Sequence, residues 1–507
     1  MNSRMAQSRL LLLPVLLALG LTAQIVDVRI LQTSDLHASI EQGRQAGSGG
    51  MLRIATLIRQ SRQEAGRDRT LVIDCGDTSQ GSLVAVLTNG AIGPAMLNAM
   101  GYDLWVPGNH EFDFGTRRYV ELSDAFRGTL LCGNVRVPVE GKLHTWPAWR
   151  LVVRNGARLA VIGANASYLR GWYFGEAANF EVDLATKELA DVMPEVLQAK
   201  PDAIILAIHQ GWMEVDHRDV NEIPEIVRQF PEIDLILGAH THIPRPGQRL
   251  GVKTWYAQPP SQGESLVQVD LRVNIAEHRV ESVESKLVEA TAEVPFDEAT
   301  AKAVAPMLDL AREAAAKTVG TLAQPLAADG TPGIDCGTAE LLCRTLAAAA
   351  HCPVVIHGRL STVGLAVGPV LESHLFDLVP YENEIFTARL TPAELATVVA
   401  EQWRNRKSYV YCGIYGVTAK LVAENAVELA PLPAPALDPA GRVLVAFNSY
   451  TAAGGGGRFP ELSKILADPA SQLRGTGIAT RDALRAYLGA HPDLALAPQP
   501  WLVQAKN

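Results

Sequence analysis

Between Val26 and His242, short apolar runs end again and again in Asp, Asn, Gly or His, and this rhythm limits the possible folds more than any other feature of the chain. The runs "VDVRILQTSD", "TLVIDCGD", "DLWVPGNH", "TLLCGNV", "RLAVIGAN", "AIILAIHQG" and "IDLILGAH" have the length and branched-residue content of buried strands. Between them, "MLRIATLIRQ", "AIGPAMLNAM" and "ELADVMPEVLQA" place apolar residues at helical spacing. Strands alternating with amphipathic helices predict an α/β fold whose sheets are covered by helices. In such sheets ligands collect outside the carboxyl ends of the strands. The polar residues fall at those ends.

Five ends carry the chemistry: "SDLH" with Asp35 and His37, "GD" with Asp77, "GNHEFDFG" with Asn109, His110 and Asp113, "IHQG" with His209, and "GAHTH" with His240 and His242. A single His after a strand is more often a hydrogen-bonded structural residue than a ligand. The joint composition changes the reading. Two Asp, one Asn and four His meet the coordination needs of two metal ions with almost nothing left over.

The ordered set "DLH", "GD", "GNHE", "H" and "GAHTH" resembles the calcineurin-like metallophosphoesterases. With "GNHEFDFG", "GDTSQGS" and the large C-terminal half, the chain looks like their secreted 5′-nucleotidase and 2′,3′-cyclic-nucleotide 2′-phosphodiesterase branch. The resemblance implies an N-terminal β-sandwich flanked by helices, followed by an α/β C-terminal domain. It also implies a dimetal cluster in which Asp35, His37 and His242 hold one ion, Asn109, His209 and His240 hold the other, and Asp77 bridges them. Two ions neutralise the non-bridging oxygens of a phosphoester and generate a hydroxide at neutral pH, which is the nucleophile the family implies. Mixed nitrogen and oxygen ligands suit Mn, Zn, Fe or Co better than Mg alone.

His110 and Asp113 are not needed as ligands. In an extended segment neighbouring side chains point to opposite sides, so Asn109 would face the metals and His110 the substrate. The resemblance makes His110 the group that stabilises the phosphoryl transition state or protonates the leaving oxygen, with Asp113 orienting its ring. As an alternative, Asp113 opens a helix at "DFGTRRYVEL" as its N-cap.

Residues 1–23, with Arg4 and Arg9 ahead of "LLLLPVLLALGL"-type apolar sequence and "LTAQ" behind it, read as a signal peptide. A periplasmic or secreted protein with no stable membrane span after cleavage is expected. Six cysteines then permit disulfides, although no pair has zinc-type C-x-x-C spacing. A net charge of −9 argues against a nucleic-acid polymer as partner; a small nucleotide as substrate is what the resemblance implies. The expected domains are catalytic over 24–294, a linker helix over 295–317 beginning in "FDEATAKAVAPMLDLAREAAAK", and a substrate-binding domain over 318–507. In the last, the resemblance points to Arg359 of "HGRL" for phosphate, and to Phe459 of "NSYTAAGGGGRFP" with Tyr409 or Tyr411 as a base clamp. This half departs from the family pattern: "CGTAELLCRTL" lacks the usual Gly-Asn opening, and Gly456 stands where the loop usually has Asp. Two other readings stay open, a dimetal hydrolase of a nucleotide-sugar or non-nucleotide substrate, and a secreted binding protein with an inactive catalytic domain.

Overall fold

The computed structural model describes residues 24–43, 47–173, 179–213, 221–408, 411–423, 426–432 and 436–504. The proposed signal peptide and Tyr409 lie outside them. Among the described residues no helix is long and apolar enough to cross a membrane.

Two six-stranded sheets form the first half. One carries four parallel strands, Ile25–Thr33, Thr70–Asp74, Leu104–Trp105 and Thr129–Leu130, and is extended on one side by Ser265–Asn274 and Arg279–Glu289 in antiparallel register. The other runs Ala157–Ala164, Ala203–Ile208, Leu235–Leu237 and Trp255–Gln258 in parallel, with Trp149–Arg154 and Arg245–Arg249 antiparallel at its edges. Val28, Ile30, Leu71 and Ile73 of the first sheet share a dry core with Leu159, Val161, Ile205 and Leu237 of the second. The opposite faces bury Met51, Ile54, Met96 and Leu97 under one sheet and Leu189, Val196 and Ile226 under the other. The layers are therefore helix, sheet, sheet, helix, as the sandwich expectation requires. Because the central strands are covered on both faces, every residue of Thr70–Asp74 and of Ala203–Ile208 is buried, which is why they read as continuous apolar runs rather than alternating ones.

Two strands are shorter than their sequences suggest. Leu104–Trp105 and Thr129–Leu130 pair for two residues each before turning into loops. The linker segment forms the helix Glu298–Ala315, capped by the Asp297 side chain accepting from Thr300 N at 2.8 Å. One face of it is buried, since Val304 and Leu308 join the core containing Met51 and Met96. The second half is built on a five-stranded sheet in the order Gly413–Tyr415, Val354–His357, Val443–Asn448, Glu384–Leu390, Arg474–Ala479, with helices on both faces. All six cysteines are buried and none is in a disulfide.

Candidate active site

Every candidate ligand sits just past a strand, and five of the seven hold a backbone that L-residues seldom adopt. Asp35, His37, Asp77, His240 and His242 have φ between 49° and 71°, the left-handed region in which Asp and His are among the more tolerated residues. The turns are tight because the loops cross closely. A side chain at Gly108 would put its Cβ 2.2 Å from Asp77 Oδ1 and 2.6 Å from His209 Cε1, so only glycine fits there. Asp35, His37, Asp77, Asn109 and His209 are buried, while His240 and His242 are partly exposed.

Ligand-type atoms of Asp35, His37 and His242 lie within 4.8 Å of one another, as do those of Asp77, His209 and His240. Asn109 joins the second group through its Oδ1, 3.1 Å from His209 Nε2. Asp77 belongs to both sides, since it also clusters with His37 and His110. The proton inventory indicates what fills the gap between these atoms. His209 Nδ1–H donates to the Cys75 carbonyl at 2.6 Å, which turns Nε2 toward Asp77 Oδ2 at 3.2 Å. His37 Nδ1–H donates to the Gln80 carbonyl, leaving Nε2 to face His242 Nε2 at 3.2 Å. Burial, reinforced by His242, holds His37 down at about 3, and burial with His209 does the same to His240, so both imidazoles are neutral. Burial would also depress His209, but the Asp77 carboxylate outweighs it and pushes His209 up to about 9. His37 and His240 thus offer lone pairs beside the carboxylates of Asp35 and Asp77, while His209 Nε2 holds a proton against Asp77 that a metal ion would displace. Mixed nitrogen and oxygen donors of this kind suit divalent transition metals.

Glu111, a residue without a role in the sequence reading, organises the centre without pointing into it. Fully buried, its carboxylate accepts from the backbone N–H groups of Asp77 at 2.9 Å, Thr78 at 2.8 Å, Ser79 at 3.0 Å and Gly108 at 2.6 Å. Two strand-end loops are thereby fixed to one side chain. The signal was present in "GNHE" as a carboxylate left over after the ligands were assigned.

His110 Nδ1 lies 2.7 Å from Asp113 Oδ2. The segment is not extended: His110–Phe112 is a 3-10 turn, and its tight winding brings His110 and Asp113 to one side. Asp113 is not an N-cap, since the next helix, Thr116–Ala125, is capped at Gly115. Burial alone would lower the His110 pKa, yet Asp113 and then Asp77 raise it to about 10, so the ring is protonated at neutral pH. The His110 backbone N–H also donates to Asp77 Oδ1 at 2.8 Å.

The base clamp expected in the second half does not form as read. Phe459 is 0% exposed and packs in the core with Phe447 and Leu462, because the chain folds the Gly-rich run over its ring. Tyr411 is 5% exposed, beside Trp403, and likewise offers no face to a ligand. Arg359 Nη1 donates to the carbonyls of Ala328 at 2.6 Å and Gly330 at 3.1 Å, so part of its fork is engaged with its own domain. The aromatic brought to the site is Tyr381, partly exposed, whose ring stacks over His110 at 5.5 Å and 16° and meets His37 edge-on at 5.3 Å. Its loop is held by Asn383, which donates to the Tyr381 carbonyl and accepts from Ser449 and Tyr450, and by the buried Arg481, bonded to Glu382 at 2.7 Å and to the Val379 carbonyl at 3.0 Å. "VPYENEI" held that residue, but nothing in its spacing tells a site aromatic from a loop one.

Comparison with known proteins divides the chain as the structure does. Residues 28–244 match the family model of the calcineurin-like phosphoesterases, and residues 316–464 that of the 5′-nucleotidase C-terminal domain. A snake venom 5′-nucleotidase from Gloydius brevicauda is 38% identical over 234 residues, 44% of this chain and 38% of its own. A 2′,3′-cyclic-nucleotide 2′-phosphodiesterase/3′-nucleotidase from Haemophilus influenzae is 24% identical over 243 residues, 43% of this chain and 36% of its own. The matched stretch thus spans well under half the length of these curated relatives. Among solved structures, a Staphylococcus aureus protein assigned as a 5′-nucleotidase superposes with a TM-score of 0.79 over 95% of this chain and 100% of its own, at 17% identity. At that identity the likeness bears on the fold alone.

Proposed function

Because the chain joins a calcineurin-like phosphoesterase domain to a 5′-nucleotidase C-terminal domain, we propose that it is a dimetal phosphoester hydrolase acting on nucleotides, exported to the periplasm or beyond. One observation carries the reading: the Asp35–His37–His242 and Asp77–His209–His240 groups meet at Asp77, with the His110–Asp113 pair alongside. An inactive binding domain would have no physical use for that whole set.

Two divalent ions, when bound, neutralise the phosphoryl oxygens and make water a nucleophile at neutral pH. The chain's own groups do the rest. Asp35, His37 and His242 would hold one ion, Asn109, His209 and His240 would hold the other, and Asp77 would serve both. His209 is fixed in its ligating tautomer by the Cys75 carbonyl. His110 enters the reaction carrying a proton, which it directs at the developing charge or gives to the departing oxygen. Asp113 keeps the ring turned. Tyr381 presents an aromatic face beside His110, where the leaving nucleoside would lie, and Arg359 is the candidate phosphate contact of the second half.

The burial of Phe459 and Tyr411 favours a second reading, in which the same centre hydrolyses a nucleotide-sugar or non-nucleotide substrate. Turnover with Mn²⁺ of AMP, 2′,3′-cyclic AMP, UDP-glucose and p-nitrophenyl phosphate separates the two. Hydrolysis of either nucleotide well above the aryl phosphate supports the first, and activity confined to UDP-glucose or the aryl ester supports the second. Activity that survives exhaustive chelation refutes both.

A further inference from the structure

The hydroxyl of Tyr173 lies between the two working parts of the site. Its oxygen is 2.7 Å from Asp113 Oδ1 and 2.5 Å from the carbonyl oxygen of Asn109. Both neighbours only accept, so the single phenolic proton is shared between them. The other Asp113 oxygen takes the Nδ1 proton of His110. One hydroxyl therefore touches the orienter of the proton donor and the backbone of a candidate metal ligand.

Tyr173 reaches this place from a distant segment. It follows the short turn Leu169–Trp172, beyond the strand Ala157–Ala164 of the second sheet, whereas His110 and Asp113 follow a strand of the first. Its ring packs between Phe112, at 6.3 Å, and Phe180, at 5.8 Å. The aromatic contacts hold the ring, and the hydroxyl is free to act as a fixed donor. Without it, Asp113 would be anchored on one oxygen only and could turn about its terminal bond, taking the His110 ring with it.

We propose that Tyr173 is a positioning residue for hydrolysis: its hydroxyl locks the Asp113 carboxylate, which in turn aims His110 at the substrate. This rests on the placement of His110 at the reacting phosphoryl group in the proposed function. A tyrosine that merely stabilised the loop would also lower activity when changed, so the test must ask whether its effect passes through His110.

The test is a double-mutant cycle in the full chain loaded with Mn²⁺, using Tyr173→Phe, His110→Asn and both together, with AMP and p-nitrophenyl phosphate. Tyr173→Phe keeps the ring and removes only the hydroxyl. The expected result is a kcat about tenfold lower, of the order of one hydrogen bond to a charged acceptor, with KM within about twofold and no further loss when the change is added to His110→Asn. An unchanged kcat overturns the proposal, as does a tenfold loss that persists in the His110→Asn background. A second arm uses metal-free protein labelled at histidine. The ring resonance that disappears in His110→Asn should shift in Tyr173→Phe, and an unmoved resonance overturns the proposal. Should the unaltered chain hydrolyse none of the esters, the proposed function fails, while the resonance still decides whether Tyr173 governs His110.

Discussion

His110 is the residue whose removal best separates chemistry from metal binding, because it touches the centre while the seven proposed ligands suffice without it. His110→Asn should leave two ions per chain by metal analysis while turnover falls roughly 10²–10⁴-fold, the usual worth of a positioned proton donor. Acting as an acid, it should matter less for p-nitrophenyl phosphate, whose leaving group needs little protonation, and steady-state kinetics on the two substrates checks this. An equal loss on both would assign it to charge stabilisation. The candidate ligands and His110 could be read from the sequence because ligand-type side chains at strand ends are rare in such number. Glu111 and Tyr173 could not. The first works by accepting amides from another loop, and the second arrives from a segment some sixty residues on, a proximity that no spacing encodes. Phe459 was misread because an aromatic beside a glycine run looks the same in sequence whether it faces out or in.

At the level of elements, Phe459 closes the start of the helix Pro460–Ala467 by filling the core beneath it. Phe459→Ala should therefore destabilise the protein by about 3–5 kcal/mol, as large-to-small core changes do. Urea unfolding would measure this. KM for nucleotides should stay as it was, and a selective rise in KM with unchanged stability would restore the base-clamp reading. The strand Val354–His357 carries a second prediction. His357 is fully buried, its Nδ1–H donates to the Gly358 carbonyl at 2.6 Å, and burial lowers its pKa to about 4. The unfolded chain, with a value near 6.5, takes up a proton there that the folded chain refuses. Its contribution to stability is thus complete above about 6.5 and is lost as pH falls toward 4, by up to about 1.4 kcal/mol per pH unit. Urea titrations at pH 7 and pH 5 should show that slope reduced in His357→Asn. The strands and helices themselves were legible from periodicity, except Leu104–Trp105 and Thr129–Leu130, whose apolar runs continue into buried loops and so look like longer strands.

Across the whole molecule, the second half matters to the first through Tyr381, which reaches over His110 and His37. Tyr381→Ala should raise KM for AMP several-fold and change metal content not at all, since the residue packs on the His110 ring and supplies no candidate ligand. Comparison of KM for AMP and for p-nitrophenyl phosphate checks it, and equal changes in both would mean that the contact serves the closing of the two halves rather than the nucleoside. That the chain would bury more than one core is expected from its length, which suggests two or three domains, whereas the meeting of the halves depends on a loop anchored by the buried Arg481 and is not written in any motif. The backbone around the centre has one more implication. Asp35, His37, Asp77, His240 and His242 all sit in left-handed conformations, each disfavoured for an L-residue by about 1–2 kcal/mol. Glycine would relax every one of them. A selection for heat tolerance alone, with no demand for activity, would thus drift toward glycine at these five positions and dismantle the metal centre while improving the fold.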